Sequence, residues 1–169
     1  DTDKGRILID EQDIKQIKKE SLRAKMGFVL QDSFLFQGSI RENIGYGRLD
    51  ATDEQVEEAA IKANAHDFIM RLDTGYDTKL KQDGGGISQG QRQPLSIARA
   101  ILADPSILIL DEATSSIDTI TEVRIQEALK RLMEGRTSFM IAHRLNTIEQ
   151  ADRIFVLQDG QITEDGSHE

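Results

Sequence analysis

Two adjacent carboxylates, Asp111 and Glu112, close the apolar run Ile107-Leu108-Ile109-Leu110. At the carboxyl end of a buried strand such a pair can divide labour. One carboxylate holds a metal ion through water and the other polarises an attacking water. The same pattern also describes a strand that ends in a solvated loop, and the pair alone does not choose between the two. Gln31 follows the apolar stretch Met26 to Leu30; its amide can reach a metal or a water, or simply begin a loop. Ser88 and Gln91 have the spacing of a capping box, with Gly90 baring the backbone between them. The exposed amides of such a helix start make an anion site, although most capped helices bind nothing. His143 follows another apolar run, Ser138 to Ala142.

These residues need elements to hold them. Ile107 to Leu110, preceded by Asp104-Pro105, reads as a strand buried on both faces, and Met26 to Leu30 and Ser138 to Ala142 read as further short strands. Arg6 to Asp10 alternates as a strand and is followed by a polar turn at Glu11-Gln12-Asp13. From Asp32 to about Ala103 the pattern turns helical. Thr52 to Gln55 is a capping box, and Val56, Ala59, Ala60 and Ala63 give one apolar face, which predicts a helix from Asp53 to Ala65. Ahead of it, DSFLFQGSIRENI reads as an apolar loop; Phe34, Leu35, Phe36 and Ile40 form either a lid over the helical part's own core or a docking surface. Gly84 to Gly86 lead into the helix capped by Ser88. Inside that helix Pro94 removes the amide that would bond the Gly90 carbonyl, an expected loss of roughly 3 kcal/mol. Asp118 or Thr119 opens a helix with Ile125, Ala128, Leu129 and Leu132 on one face, ended by Gly135. Arg153 to Leu157 and Gln161 to Thr163 form a hairpin around Asp159-Gly160.

Composition narrows the function classes. At 169 residues, 38% hydrophobic and 30% charged, the chain has the size of one domain with a real core. Its net charge of −9 argues against nucleic acid as a partner, since phosphate-backbone affinity comes from Lys and Arg. The absence of Cys excludes disulfides and thiolate metal sites and fits a reducing compartment. No apolar run approaches the roughly 20 residues that span a bilayer, and DTDKGR is not a signal peptide. Any membrane role must then come through a partner or through residues outside this sequence.

Taken together, ISQGQRQ at Ile87 to Gln93, ILILDE at Ile107 to Glu112, SSID at Ser115 to Asp118, Gln31 ahead and His143 behind follow the order and spacing of an ATP-binding cassette (ABC) nucleotide-binding domain, which the chain resembles over nearly its whole length. The resemblance makes ISQGQRQ the signature sequence, ILILDE the Walker B strand, SSID the D-loop, Gln31 the Q-loop glutamine and His143 the switch histidine. It implies ATP and Mg2+ as ligands. Asp111 would hold magnesium through water, Glu112 would be the general base, Gln31 would reach the metal and the attacking water, and His143 the γ-phosphate. Ser88, Gly90 and Gln91 would face ATP bound mainly by a second nucleotide-binding domain, packed head to tail as a homo- or heterodimer, and Asp118 would help join the two sites. DSFLFQGSIRENI, ANAHDFI and GYDT are similar to exporters, so a transmembrane domain is the further expected partner, the Phe34 to Ile40 stretch its expected contact, and the cytoplasmic face of the plasma (inner) membrane the expected location. His66 and His168 stand in no motif and read as surface or packing residues.

Departures from the family also carry information. The phosphate loop G-x-x-x-x-G-K-[ST] and the adenine-stacking aromatic are absent, as if the chain were truncated before them, and both ends are expected to be incomplete. TKLKQDG at Thr78 to Gly84 replaces the acidic TEVGERG-like stretch of many exporters. The expected fold is α/β: a P-loop NTPase (RecA-like) parallel-sheet core over 1–31 and 104–169, with a helical signature subdomain inserted over 32–103. The expected function is the ATP-hydrolysing subunit of an exporter, inactive as this chain alone. Other readings are a non-catalytic interaction module of the same fold, or a soluble ABC ATPase of DNA repair or translation. Against the first stand an intact Glu112 and His143; against the second, the exporter-like loop and the acidic charge.

Overall fold

The computed structural model describes residues 2–30, 33–81, 84–111, 117–142, 148–149 and 151–168. A hairpin comes first, β1 (Leu8–Ile9) with β2 (Gln12–Asp13). Its turn residues Asp10 and Glu11 both take positive φ, 47° and 64°, as a two-residue hairpin loop demands. The strand expected over Arg6 to Asp10 is therefore cut short, and the polar Gln12-Asp13 pairs back on it rather than lying in the turn. Helix α1 (Lys19–Ala24), not expected from the sequence, then leads into β3 (Met26–Val29).

From β3 the chain passes through β4 (Gly38–Ser39), α2 (Ile40–Gly45), α3 (Asp53–Lys62), α4 (His66–Ile69) and β5 (Lys79–Leu80) to the long α5 (Gln89–Ala103). The stretch read as an apolar loop is thus partly a helix. Ser39 caps α2, its hydroxyl accepting from the Glu42 amide at 3.0 Å while Glu42 Oε2 accepts from the Ser39 amide at 2.5 Å. Leu35, Ile40 and Ile44 are fully buried, while Phe34 and Phe36 remain 54% and 37% exposed, so the stretch both fills the core and presents aromatic surface. α3 is capped by Thr52 as expected and buries Val56, Ala59 and Ala60. α5 runs unbroken through the buried Pro94.

β6 (Ile107–Asp111), α6 (Thr119–Met133) and β7 (Thr137–Ile141) complete a parallel sheet in the order β3-β6-β7. Val29, Leu108 and Leu110 bury one face of it, and α5 packs on β3 and on α6. The opposite face carries Phe28, Phe139 and Ile141 at 54%, 59% and 55% exposure. Both faces are apolar, as in a doubly covered parallel sheet, yet among the described residues only one of them is covered. A last hairpin, β8 (Ile154–Gln158) with β9 (Gln161–Gly166), turns at Asp159-Gly160, both with positive φ, as the dipeptide predicts.

Candidate functional site

Three parallel strands end at one edge. In register, Val29 lies opposite Leu110, Leu110 opposite Met140 and Asp111 opposite Ile141. Carboxyl ends of parallel strands are where ligands bind in open α/β sheets, and Asp111 stands there, half-buried. Alternation along β6 puts Asp111 on the same face as Ile107 and Ile109, the face that shows Phe28 and Phe139 to solvent. Gln31, Glu112 and His143 follow the ends of β3, β6 and β7 by one or two residues in the sequence and lie outside the described residues, as does Ser116.

Two helix starts meet beside one another. Ser88 holds extended backbone ahead of α5, and its amide donates to Gln91 Oε1 at 3.0 Å. A Cβ on Gly90 would lie 3.1 Å from Thr121 Cγ2 and 3.6 Å from Ile117 Cγ2, so the first turn of α5 rests directly on the residues that flank Asp118. Asp118 caps α6, Oδ1 accepting from the Thr121 amide at 3.0 Å, and that backbone hydrogen bond holds its carboxyl below the usual range. Gly90, between Ser88 and Gln91 in the first turn of α5, is therefore brought against the start of the helix that Asp118 caps, while Asp111 stands at the sheet edge.

This donor set suits some ligands and not others. No group of three or more His, Cys, Asp or Glu side chains converges for a metal among the described residues. A magnesium ion keeps several waters and takes one or two carboxylates plus phosphate oxygens, so the single carboxylate of Asp111 fits such an ion and would not fit zinc. The bared amides at the start of α5 suit a phosphate. His66 has a packing role instead, with Nδ1 2.8 Å from the Tyr76 hydroxyl, and burial pushes that phenol up to about 12.

Sequence reading passed over one side chain that the structure makes prominent. Arg99, on α5, donates from Nε to the Asn43 carbonyl at 2.9 Å, from one terminal nitrogen to Asn43 Oδ1 at 3.1 Å and from the other to the Phe34 carbonyl at 3.0 Å. Its guanidinium lies 5.2 Å from the centre of the Phe36 ring. The available signal was an arginine inside the otherwise apolar SIARAIL run, where an unpaired charge is costly and a partner must exist.

A family model described as "ABC transporter" matches residues 1–115. The chain belongs to the ABC transporter family. It is 70% identical over 165 residues to an uncharacterized ABC transporter ATP-binding protein, YfiC, of Bacillus subtilis, covering 98% of this chain and 27% of that protein. With a fatty acid ABC transporter ATP-binding/permease protein of Mycobacterium bovis it shares 54% identity over 164 residues, 97% of this chain and 26% of the relative. A solved structure of a bacterial Atm1-family ABC exporter with ATP bound superposes with a TM-score of 0.91 at 46% identity, over 99% of this chain and 29% of that one. The chain thus spans between a quarter and a third of the length of these proteins. The α/β fold expected from the sequence is the one it shares with that exporter.

Proposed function

We propose that this chain is the catalytic wall of the ATP-hydrolysing unit of an ABC exporter, and that ATP turnover there drives export of a substrate through a membrane-spanning part. The observation that carries the reading is Asp111 at the carboxyl edge of a parallel sheet in a chain whose two helix starts, at Ser88 and Asp118, pack together. Residues 1–31 and 104–169 act as the ATPase core and 32–103 as the helical subdomain. Asp111, assisted by Gln31, would hold magnesium. Bound magnesium would neutralise charge on the phosphates during transfer. Glu112 takes the proton of the attacking water, Gln31 orients that water, and His143 donates to the γ-phosphate. Ser88, Gly90 and Gln91 present the start of α5 to a nucleotide gripped by a second domain packed head to tail, and Asp118 lies where the two sites adjoin. The aromatic surface of Phe34, Phe36 and Tyr46 receives the membrane part, at the cytoplasmic face of the plasma (inner) membrane. The ATP-binding/permease relative supports that partner. Which substrate passes is set by that part.

A chimera tests this reading. The 169 residues replace the matching stretch of the Atm1-family exporter, which supplies the phosphate loop, and ATP hydrolysis is measured in vesicles. Turnover is expected, falling at least about 100-fold in Glu112→Gln, the scale of a lost general base. The isolated chain, which contains no G-x-x-x-x-G-K-[ST], is expected to show none. A folded chimera without turnover, or isolated-chain turnover that disappears in Glu112→Gln, would overturn it.

A further inference from the structure

Three aromatic side chains stand together at the surface. The Phe34 and Phe36 rings meet edge to face with centroids 5.1 Å apart, and Phe36 lies 4.6 Å from Tyr46, which is 59% exposed. They belong to the stretch before α2 and to its end, whereas Ser88 and Gly90 sit at the start of α5. Something must hold these two pieces in a fixed relation if a contact at one is to be felt at the other.

Arg99 has the geometry for it. Its three hydrogen bonds end on Phe34 and Asn43, which flank Phe36 in the sequence, and its guanidinium overlies the Phe36 ring. Asn43 is itself fixed: it is 2% exposed, its Oδ1 accepts from the Phe36 amide at 2.8 Å, and its Nδ2 donates to the carbonyls of Phe36 and Ser39 at 3.0 Å each. Gly47 also comes so close that a Cβ there would lie 2.3 Å from the Arg99 carbonyl oxygen. The aromatic stretch is thus bolted to α5 by the Arg99 side chain and abuts its main chain. Neutral carbonyls and an amide oxygen, with no carboxylate among the described residues, receive this half-buried cation. An ion pair formed for stability alone would need neither a fork nor acceptors on two segments; lysine, a point charge, could not span them.

We propose that Arg99 is the positioning residue that makes α5 and the Phe34–Phe36–Tyr46 surface move as one lever, so that a membrane partner docked on the aromatics sets where Ser88 and Gly90 stand. This rests on the exporter reading above. The role is mechanical: Arg99 touches no nucleotide, and losing its fork uncouples the surface from the helix start without removing either.

The test uses the assembled transporter in vesicles, with Arg99→Lys, which keeps the charge and loses the fork. Basal ATP turnover is expected to stay within about twofold, while the ratio of substrate-stimulated to basal turnover falls about fivefold or more, as lost coupling predicts. A purely structural role would lower both rates together and leave the ratio unmoved, which would overturn the proposal. A second measurement needs no turnover: spin labels on Tyr46→Cys and Gln89→Cys report one narrow distance, which Arg99→Lys broadens. Phe36→Leu keeps all three hydrogen bonds and is expected to leave that distance narrow; broadening there would show that ring packing rather than the fork holds the stretch, and would also overturn the proposal. Absence of any stimulated turnover in the unsubstituted transporter counts against the exporter reading, while the label distances still judge Arg99.

Discussion

A close approach between two main-chain segments makes a sharp prediction at Gly47. An alanine there would place its Cβ 2.3 Å from the Arg99 carbonyl oxygen and 3.2 Å from both the Arg99 carbonyl carbon and the Ala103 nitrogen. Non-bonded heavy atoms of this kind settle at roughly 3.5 Å, so about 1 Å of movement is required. No side-chain rotation supplies it, because every atom met belongs to the α5 backbone. That helix cannot retreat freely either, since Leu95, Ile97, Ala98 and Leu102 pin it in the core at 5% exposure or less. Overpacking of this type costs about 1–3 kcal/mol, and the upper part of that range applies where backbone meets backbone.

Gly45, two residues earlier, is the matched control. It ends α2, has nothing within 4 Å of the position of its Cβ, and is not among the glycines with positive φ. Alanine there should stabilise by roughly 0.5 kcal/mol through helix propensity and a less flexible unfolded chain. The same chemical change therefore has opposite signs at two neighbouring sites. Equilibrium urea unfolding followed by far-ultraviolet circular dichroism reads the difference, since the chain has no Trp. With a slope near 2 kcal/mol per molar, the two midpoints should separate by about 1 M or more. Equal shifts of the same sign would refute the close approach of the Gly47 segment to α5.

Glu42 supplies a pH test: the Ser39 amide and then Lys79, whose Nζ lies 3.1 Å away, hold its carboxyl down at about 2. A depressed folded pKa contributes stability that is complete above the ordinary carboxylate range and is lost as pH falls from there towards 2, so Glu42→Gln should flatten that part of the acid limb in pH-dependent thermal unfolding, and an unchanged limb would count against the capping box. The two sheet faces should answer mutation unequally: Leu108→Ala is expected to cost about 2–5 kcal/mol as a fully buried site, and Phe139→Thr less than about 1 kcal/mol at an exposed strand position of the isolated chain, a contrast that chemical denaturation of the two variants measures.

What could be read ahead of the structure was local. Thr52 with Gln55, Asp118 before Thr119, and Asp159-Gly160 each signal their element within a few residues, and each holds. The three parallel strands were legible because apolar runs ending in polar residues have few other uses. α2 was misread for a reason that is also local: its capping box, Ser39 with Glu42, is embedded in apolar residues whose burial alternates by tertiary contact, Leu35 inward and Phe34 and Phe36 outward. The two-residue strands β4 and β5 are too short to leave any period. Among the candidate site residues, the helix-start roles of Ser88 and Asp118 showed in their spacing, but their adjacency did not, because Gly90 meets Ile117 and Thr121 across a long stretch of chain. The Arg99 to Asn43 bonds, 56 residues apart, are equally invisible to any window.

Asp111 gains its meaning from the face it shares. It ends a strand in which Ile109, on the same face, lies between Phe28 on one neighbour and Phe139 on the other, an apolar strip that leads, among the described residues, to the Asp111 carboxylate. Burying such a strip is favourable at about 25 cal/mol per Å2, and an element laid along it with its end at the carboxyl edge would bring its own backbone amides up to Asp111.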